Sequence, residues 1–424
     1  MPLSRRQFLY WSAGFAGTVL THPLQGCSRS IGFGALQPDP NRILDLPVGF
    51  RYRVLSQFGD RMQDNALVPS GHDGMAAFAD RRGNTVLIRN HELTPDSGTE
   101  LSAGAEQRYD PTCKGGTTTL VVSPDRQLLS QYTSLVGTVR NCGGGATPWG
   151  SWISSEEDTS TPTSNSLVSK PHGYNFEVPS TATAPVKPEP LVAMGRFRHE
   201  AIAIDPHTGI VYQTEDQGDG LFYRFIPQQP GDLRSGVLEA LKIRDQPQLN
   251  TAKGMVVGRS LPVEWVRIED VDPTDDTVRV EGFAKGATQF SRGEGICYSN
   301  GTFYFVCTNG GNQPYGQVWR YQPGNSIEAG GTLELFIQPD NQAAIDLPDN
   351  LIMAPWGDLL LCEDGEGEQR VIGVTPQGDL YPFARNALNG AEFAGVCFSP
   401  DGSTMFLNIY NPGLTLAVWG DRMG

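Results

Sequence analysis

The chain has 424 residues, 50 of them Gly and 31 Pro, and a formal net charge of −15. That acidity excludes nucleic acid as a partner and repels phosphate esters at long range, so an anionic substrate requires bound cations that reverse the field locally. Stretches with a helical apolar period are few, and the abundance of Gly and Pro points to many short strands joined by turns.

The chain begins with Ser4-Arg5-Arg6-Gln7-Phe8-Leu9 and a modestly apolar stretch from Tyr10 to Leu20. This reads as a twin-arginine export signal, too short and too rich in Gly, Ser and Thr to span a membrane as a permanent anchor. Leu24-Gln25-Gly26-Cys27 offers a lipidation site at Cys27, although Gln25 is atypical there. The expected organisation is a signal segment over 1–27 and one domain over 28–424. The expected product is a periplasmic or secreted monomer that meets the twin-arginine translocase during export and has no transmembrane anchor.

Six segments then share one form: a polar or acidic start, an apolar strand, a tight turn and a second strand with a polar or acidic end. They start at His72-Asp73, Asn141-Cys142, His199-Glu200, Glu294-Gly295, Asp349-Asn350 and Glu392-Phe393. Their turns fall at Arg82-Gly83-Asn84, Trp149-Gly150, 205–209, Asn300-Gly301, Trp356-Gly357 and 400–402. Asn-Gly and Asp-Gly turns join antiparallel hairpins. The expected fold is all-β, a six-bladed β-propeller with capping loops at one end of its channel. In a propeller hairpin, the start of the first strand and the end of the second lie together. That gathers Asp73, Glu92, Cys142, Glu156, Glu157, Glu200, Glu215, Glu294, Asp349, Glu363 and Asp364 at one end of one channel. Two charges ~4 Å apart repel by ~4 kcal/mol at an effective dielectric of 20, so bound cations are expected there. The segment 158–190 reads as loop around one strand near 173–178, and 228–290 as outer strands with a cap over the channel mouth.

There are seven Cys and no C-x-x-C pair, which argues against a structural zinc site. Cys297, Cys362 and Cys397 sit in apolar strand patterns and read as core. Cys142 alone stands beside a glycine run and, fourteen residues on, an acidic pair, Glu156-Glu157. Thiolate with oxygen ligands suits a mixed centre, a transition metal on sulfur and calcium on oxygen.

The stretches Arg89-Asn90-His91-Glu92, Cys142 to Glu157, Arg198-His199-Glu200-Ala201, Thr214-Glu215-Asp216, Ser291 to Gly295, Pro348 to Leu351, Cys362 to Gly365 and Glu392 to Gly395 resemble the PhoX family of alkaline phosphatases. The resemblance runs from about residue 70 to the C-terminus. It implies hydrolysis of phosphate monoesters at a cluster of iron (two Fe3+) and several calcium ions (Ca2+). It implies Cys142 as thiolate ligand to iron, with Glu157, Glu200 and Glu294 holding the iron pair or the adjoining calcium. Glu92, Glu156, Glu215, Asp216, Asp349, Glu363 and Asp364 form the pool of calcium ligands. Arg292 is expected to reach the phosphate as a bidentate guanidinium, or else to brace a ligand carboxylate. Asn90 is expected to donate to another phosphate oxygen, and His91 and His199 read as supports. The chain is shorter than the larger phosphatases of the family, which leaves substrate range open. A calcium-dependent lactonase or phosphotriesterase and a non-catalytic calcium-stabilised propeller are the alternatives, and Cys142 argues against the first.

Overall fold

The computed structural model describes residues 31–421 and 423. The segment with Arg5, Arg6 and Cys27 lies outside the described residues. The fold is all-β and propeller-like: four sheets of three to six strands and one of nine. After two short strands, Leu36–Gln37 and Leu44–Pro47, comes strand β1 (Phe50–Gln57), followed by the hairpins β2–β3 (His72–Ala79, Thr85–His91), β4–β5 (Asn141–Ala146, Ser151–Glu156) and β6–β7 (His199–Ile204, Val211–Glu215). Then follow β8–β9 (Gly293–Ser299, Thr302–Cys307), β10–β11 (Pro348–Met353, Leu359–Glu363) and β12–β13 (Phe393–Phe398, Met405–Ile409). The first strands β2, β4, β6, β8, β10 and β12 each pack against the next, and β12 returns to β2, so they form a closed ring.

One sheet joins an early strand to the last one. The last strand, β14 (Leu414–Gly420), pairs antiparallel with β1, so residues some 360 apart share one sheet. Buried Leu414, Leu416 and Val418 fix that edge in an apolar cluster. The nine-stranded sheet has a different origin. Strand Ser260–Arg267 pairs with Asp232–Ile243 on one side and Thr332–Ile337 on the other, joining the outer edges of the β6–β7 and β8–β9 sheets. The segment 228–290, expected to hold outer strands and a cap over the mouth, supplies the outer strands Asp232–Ile243 and Ser260–Arg267 and a short helix, Val278–Ala284, whose Val278 is buried in the core of the β6–β7 sheet. The strand expected near 173–178 is Asn175–Pro179, paired with β5.

The expected turns fall where the hairpins need them. Asn300 and Gly301 both have positive φ, +48° and +83°, as a two-residue type I′ connection requires. Within the ring the six first strands line a largely apolar, partly open cavity of about 470 Å³, with Ala76, Ile202, Ile296, Leu351 and Val396 among its walls. The six described cysteines are free thiols, and Cys297, Cys362 and Cys397 are buried in apolar clusters.

Candidate metal centre

One register recurs in all six hairpins at the end of the channel. The last paired residues are His72–His91, Asn141–Glu156, His199–Glu215, Gly293–Cys307, Pro348–Glu363 and Phe393–Ile409. Just inside each pair the first strand shifts register, a bulge that releases a side chain from the ladder and re-aims it. The released positions include Asp73, Cys142, Glu200, Glu294 and Asp349; in the sixth hairpin Ala394 still pairs with Asn408 and the shift follows one residue later. Just outside each pair, the first-strand carbonyl accepts the amide of the residue that ends the hairpin: Gly71 from Glu92, Arg140 from Glu157, Arg198 from Asp216, Arg292 from Thr308, Leu347 from Asp364 and Glu392 from Tyr410. Five of the six hairpins therefore present an acid or thiol from the bulge, beside the side chain of the returning end.

These side chains converge. Ligand atoms of Asp73, Glu92 and Cys142 lie within 4.8 Å of one another, as do those of Cys142, Glu157 and Glu200, and those of Glu200, Glu294 and Asp349. Cys142 and Glu200 are shared, so seven residues make one continuous arc. The first strands approach closely enough for this only because of small residues. A Cβ on Gly143 would stand 2.4 Å from both the carbonyl oxygen and Oε1 of Glu200. One on Gly395, whose φ is +60°, would stand 2.3 Å from the Asp73 carbonyl oxygen.

The electrostatics follow from burial and crowding. Burial, then the charge of Asp349, holds Glu200 well above the ordinary carboxylate range. Burial, then Asp216, does the same for Glu294, and burial, then Glu92, for Asp73. Burial pushes Glu157 up to about 8 against the opposing pull of Arg140, and burial with the charge of Asp364 pushes Asp349 up to about 8. Burial, then Asp73 and Glu200, raises the Cys142 thiol. Both carboxylate oxygens of Glu200 and Oδ1 of Asp73 are buried with no hydrogen-bond donor among the described residues. A buried unpaired carboxylate oxygen is costly, and a cation is the partner that would satisfy several at once. The donor set, one sulfur amid carboxylates, fits a transition metal beside harder calcium ions.

The expected ligand pool divides cleanly, and strand geometry is the reason. Successive side chains on a strand point to opposite faces. Of each acidic pair at a returning end, the second member (Glu157, Asp216, Asp364) turns to the channel and the first (Glu156, Glu215, Glu363) turns into the sheet. Glu156 accepts from His172 Nδ1 at 2.7 Å and from the amides of Val139, Gly173 and Tyr174. Glu215 accepts from the Tyr223 hydroxyl at 2.8 Å and the Leu221 amide. Glu363 is gripped by Arg370 through Nε at 2.8 Å and Nη2 at 2.7 Å. These three carboxylates are brace points, which corrects their place in the pool.

Asn90 needs the same correction. Its amide nitrogen donates to the carbonyls of Cys142 and Gly143 at 2.8 and 2.6 Å, and its oxygen accepts from Trp152 Nε1 and the Ser154 hydroxyl. It is fully buried and ties β3 to the Cys142 strand, with no capacity left for phosphate. His91 bonds the Ser70 carbonyl and Thr118, and His199 bonds the Gly195 carbonyl, both inside sheets. Arg292 donates to Asp216 at 2.8 and 3.2 Å and to Glu294 at 2.9 Å, so it braces two channel carboxylates, while its Nη1 donates to no described residue. Sequence reasoning missed Arg140, which bridges Glu92 at 2.8 Å and Glu157 at 2.7 Å, and Glu392, whose carboxyl is raised by burial and then by the charge of Asp364. The signal for both was positional: each stands two residues before a bulge, as Arg292 does.

The two faces of the returning end should separate in mutants. Glu363→Ala leaves the Arg370 guanidinium unpaired in a largely buried site and should destabilise the fold by about 3–5 kcal/mol in urea denaturation. Asp364→Asn removes one of the crowded channel charges and should leave the metal-stripped protein as stable as wild type or more so. The opposite ranking would contradict this division.

Comparison with known proteins places the chain in a family. The sequence profile of the family Alkaline phosphatase PhoX matches residues 31–130 and 124–413. No curated protein sequence matches the chain. Among solved structures, the chain is similar to Pseudomonas fluorescens PhoX in complex with vanadate, a transition-state analogue, at 19% identity and a TM-score of 0.72, covering 92% of this chain and 97% of that one. It is more distantly similar to a putative gluconolactonase, at 13% identity and a TM-score of 0.47 over 91% of this chain and 98% of that one. A catalytically inactive virginiamycin B lyase from Staphylococcus aureus matches at 12% identity and 0.42, over 87% and 99%. With its sequence matched over nearly all of the described residues, the chain belongs to the PhoX family of alkaline phosphatases and is a phosphoryl hydrolase.

Proposed function

We propose that this protein is an exported phosphomonoesterase whose catalytic centre is an iron–calcium cluster in the seven-residue arc, and that each of the six hairpins is the core of one propeller blade. The observation that carries the reading is the set of buried, donorless oxygens on Glu200 and Asp73 beside the Cys142 sulfur. Cys142, Glu157, Glu200 and Glu294 would hold iron. Asp73, Glu92 and Asp349 of the arc, with Asp216 and Asp364 beside it, would hold calcium. When bound, such ions offset the charge of the phosphate and make water a stronger nucleophile at neutral pH.

The chain's own groups set the stage for that chemistry. Arg140 spans Glu92 and Glu157 and fixes the spacing of two carboxylates that would otherwise repel each other. Arg292 fixes Asp216 and Glu294 and keeps Nη1 for a phosphate oxygen at the mouth. Among the described residues no helix is long and apolar enough to cross a membrane. Export rests on Ser4-Arg5-Arg6-Gln7-Phe8.

Three outcomes test the reading. Cys142→Ala should lose iron and keep most calcium by elemental analysis, with hydrolysis of an aryl phosphate falling at least tenfold; full iron content would overturn the ligand assignment. In metal-stripped protein, carboxyls with raised values hold protons that the unfolded chain has released. Stability should therefore fall as pH rises from about 4 to about 8, the interval between the ordinary carboxylate values and those of Glu157 and Asp349. Added calcium should flatten that slope in thermal unfolding; a stability that rises with pH over the same interval would contradict it. Replacing Arg5 and Arg6 by Lys should hold the protein in the cytoplasm on fractionation, and unchanged export would rule out the twin-arginine route.

A further inference from the structure

The position two residues before each bulge frames the mouth of the centre. Gly71, Arg140, Arg198, Arg292, Leu347 and Glu392 occupy it, and their carbonyls make equivalent hydrogen bonds. Three of the six are Arg. Arg140 and Arg292 are held in the left-handed region, at φ +45° and +51°, where a non-Gly side chain is uncommon and is retained when the surroundings or the function demand it. These arginines are comparably exposed, with side chains 33%, 38% and 34% accessible for Arg140, Arg198 and Arg292. Their partners differ. Arg140 is spent on Glu92 and Glu157, and Arg292 on Asp216 and Glu294.

Arg198 is not spent. Its guanidinium reaches only Glu157 Oε1, at 3.8 Å, too long for a hydrogen bond, and it donates to no other described residue. Yet it stands two residues before Glu200, the carboxylate shared between two of the ligand groups. Its backbone carbonyl accepts the amide of Asp216, the same residue whose carboxylate holds Arg292. Arg198 and Arg292 thus flank one residue on neighbouring first strands, and between them they present a whole guanidinium fork and one unpaired Nη1 at the mouth.

Resting on the phosphatase reading above, we infer that Arg198 is a substrate-binding residue, which with Nη1 of Arg292 forms a two-arginine clamp on the phosphate oxygens. A planar fork matches a phosphate bidentately, whereas a lysine would offer only a point charge. An acidic protein needs such a cation at the mouth, since its overall field repels the substrate.

The test uses metal-loaded protein. Inorganic phosphate binding is measured by calorimetry, aryl-phosphate hydrolysis by kinetics and metal content by elemental analysis, for wild type, Arg198→Ala and Arg198→Lys. Losing a charge-assisted contact should weaken phosphate binding about 10–100-fold in Arg198→Ala. KM should rise by a similar factor, kcat should change less, and the metals should stay bound. Arg198→Lys should recover part of the affinity. Wild-type affinity in a metal-replete Arg198→Ala protein overturns the inference, and so does weaker binding that tracks lost metal, because Arg198 would then be bracing the ligands. A wild-type protein that binds phosphate but hydrolyses no ester overturns the phosphatase reading while leaving the Arg198 comparison in force; one that binds no phosphate overturns both.

Discussion

The structure depends on keeping carboxylates together where they repel one another. Glu157, Glu200, Glu294, Asp349 and Asp73 are buried, and their protons are held far more tightly than in water because burial and neighbouring charges disfavour ionisation. Folding alone would not retain such an arrangement. A crowd of buried acids costs stability at neutral pH, and replacing them by apolar residues of similar size is often favourable. Cations that bind only the folded state reverse that balance, by about 2.7 kcal/mol at 100 times the dissociation constant for a single site. The arginines act in the same direction at the rim. Arg140 and Arg292 each bridge two channel carboxylates, so part of the repulsion is neutralised by the chain itself.

The rest of the fold serves that centre. Five hairpins of one register place bulges at the same height, and the bulges aim the ligating positions inward. Small residues such as Gly143 and Gly395 allow the first strands to close to van der Waals distance. The first member of each acidic pair braces the sheet behind the site, through His172, Tyr223 or Arg370. The β1–β14 pairing adds a strand from early in the chain to the sheet of the last hairpin.

Much of this was legible in the sequence because it is written locally. Turns such as Asn300-Gly301 and the acidic or thiol start of most first strands located the hairpins and the end of the channel that collects the acids. Other features were harder to read because they are tertiary. Asn90 looks like a free amide until Trp152 and Ser154, sixty residues on, are seen to occupy it. The strand Ser260–Arg267 carries no mark that it will join two sheets. The division of each acidic pair was open to inference, since strand alternation requires it, but that alternation had to be applied at a strand end where a bulge on the partner shifts the register. Arg140 and Arg198 were visible as residues; what was missing was the recurrence of their position, which appears only when the hairpins are aligned by their backbone hydrogen bonds.

The central claim is that metal ions occupy the arc running from Asp73 and Glu92 through Cys142, Glu157 and Glu200 to Glu294 and Asp349. Anomalous diffraction from crystals of protein purified without chelator tests it most directly, with data collected on both sides of the iron absorption edge. The account predicts an iron peak adjoining the Cys142 sulfur and the Glu200 carboxylate, with calcium density against Asp349 and Glu92. A well-ordered arc with no anomalous peak, or metal bound only elsewhere in the molecule, would contradict it.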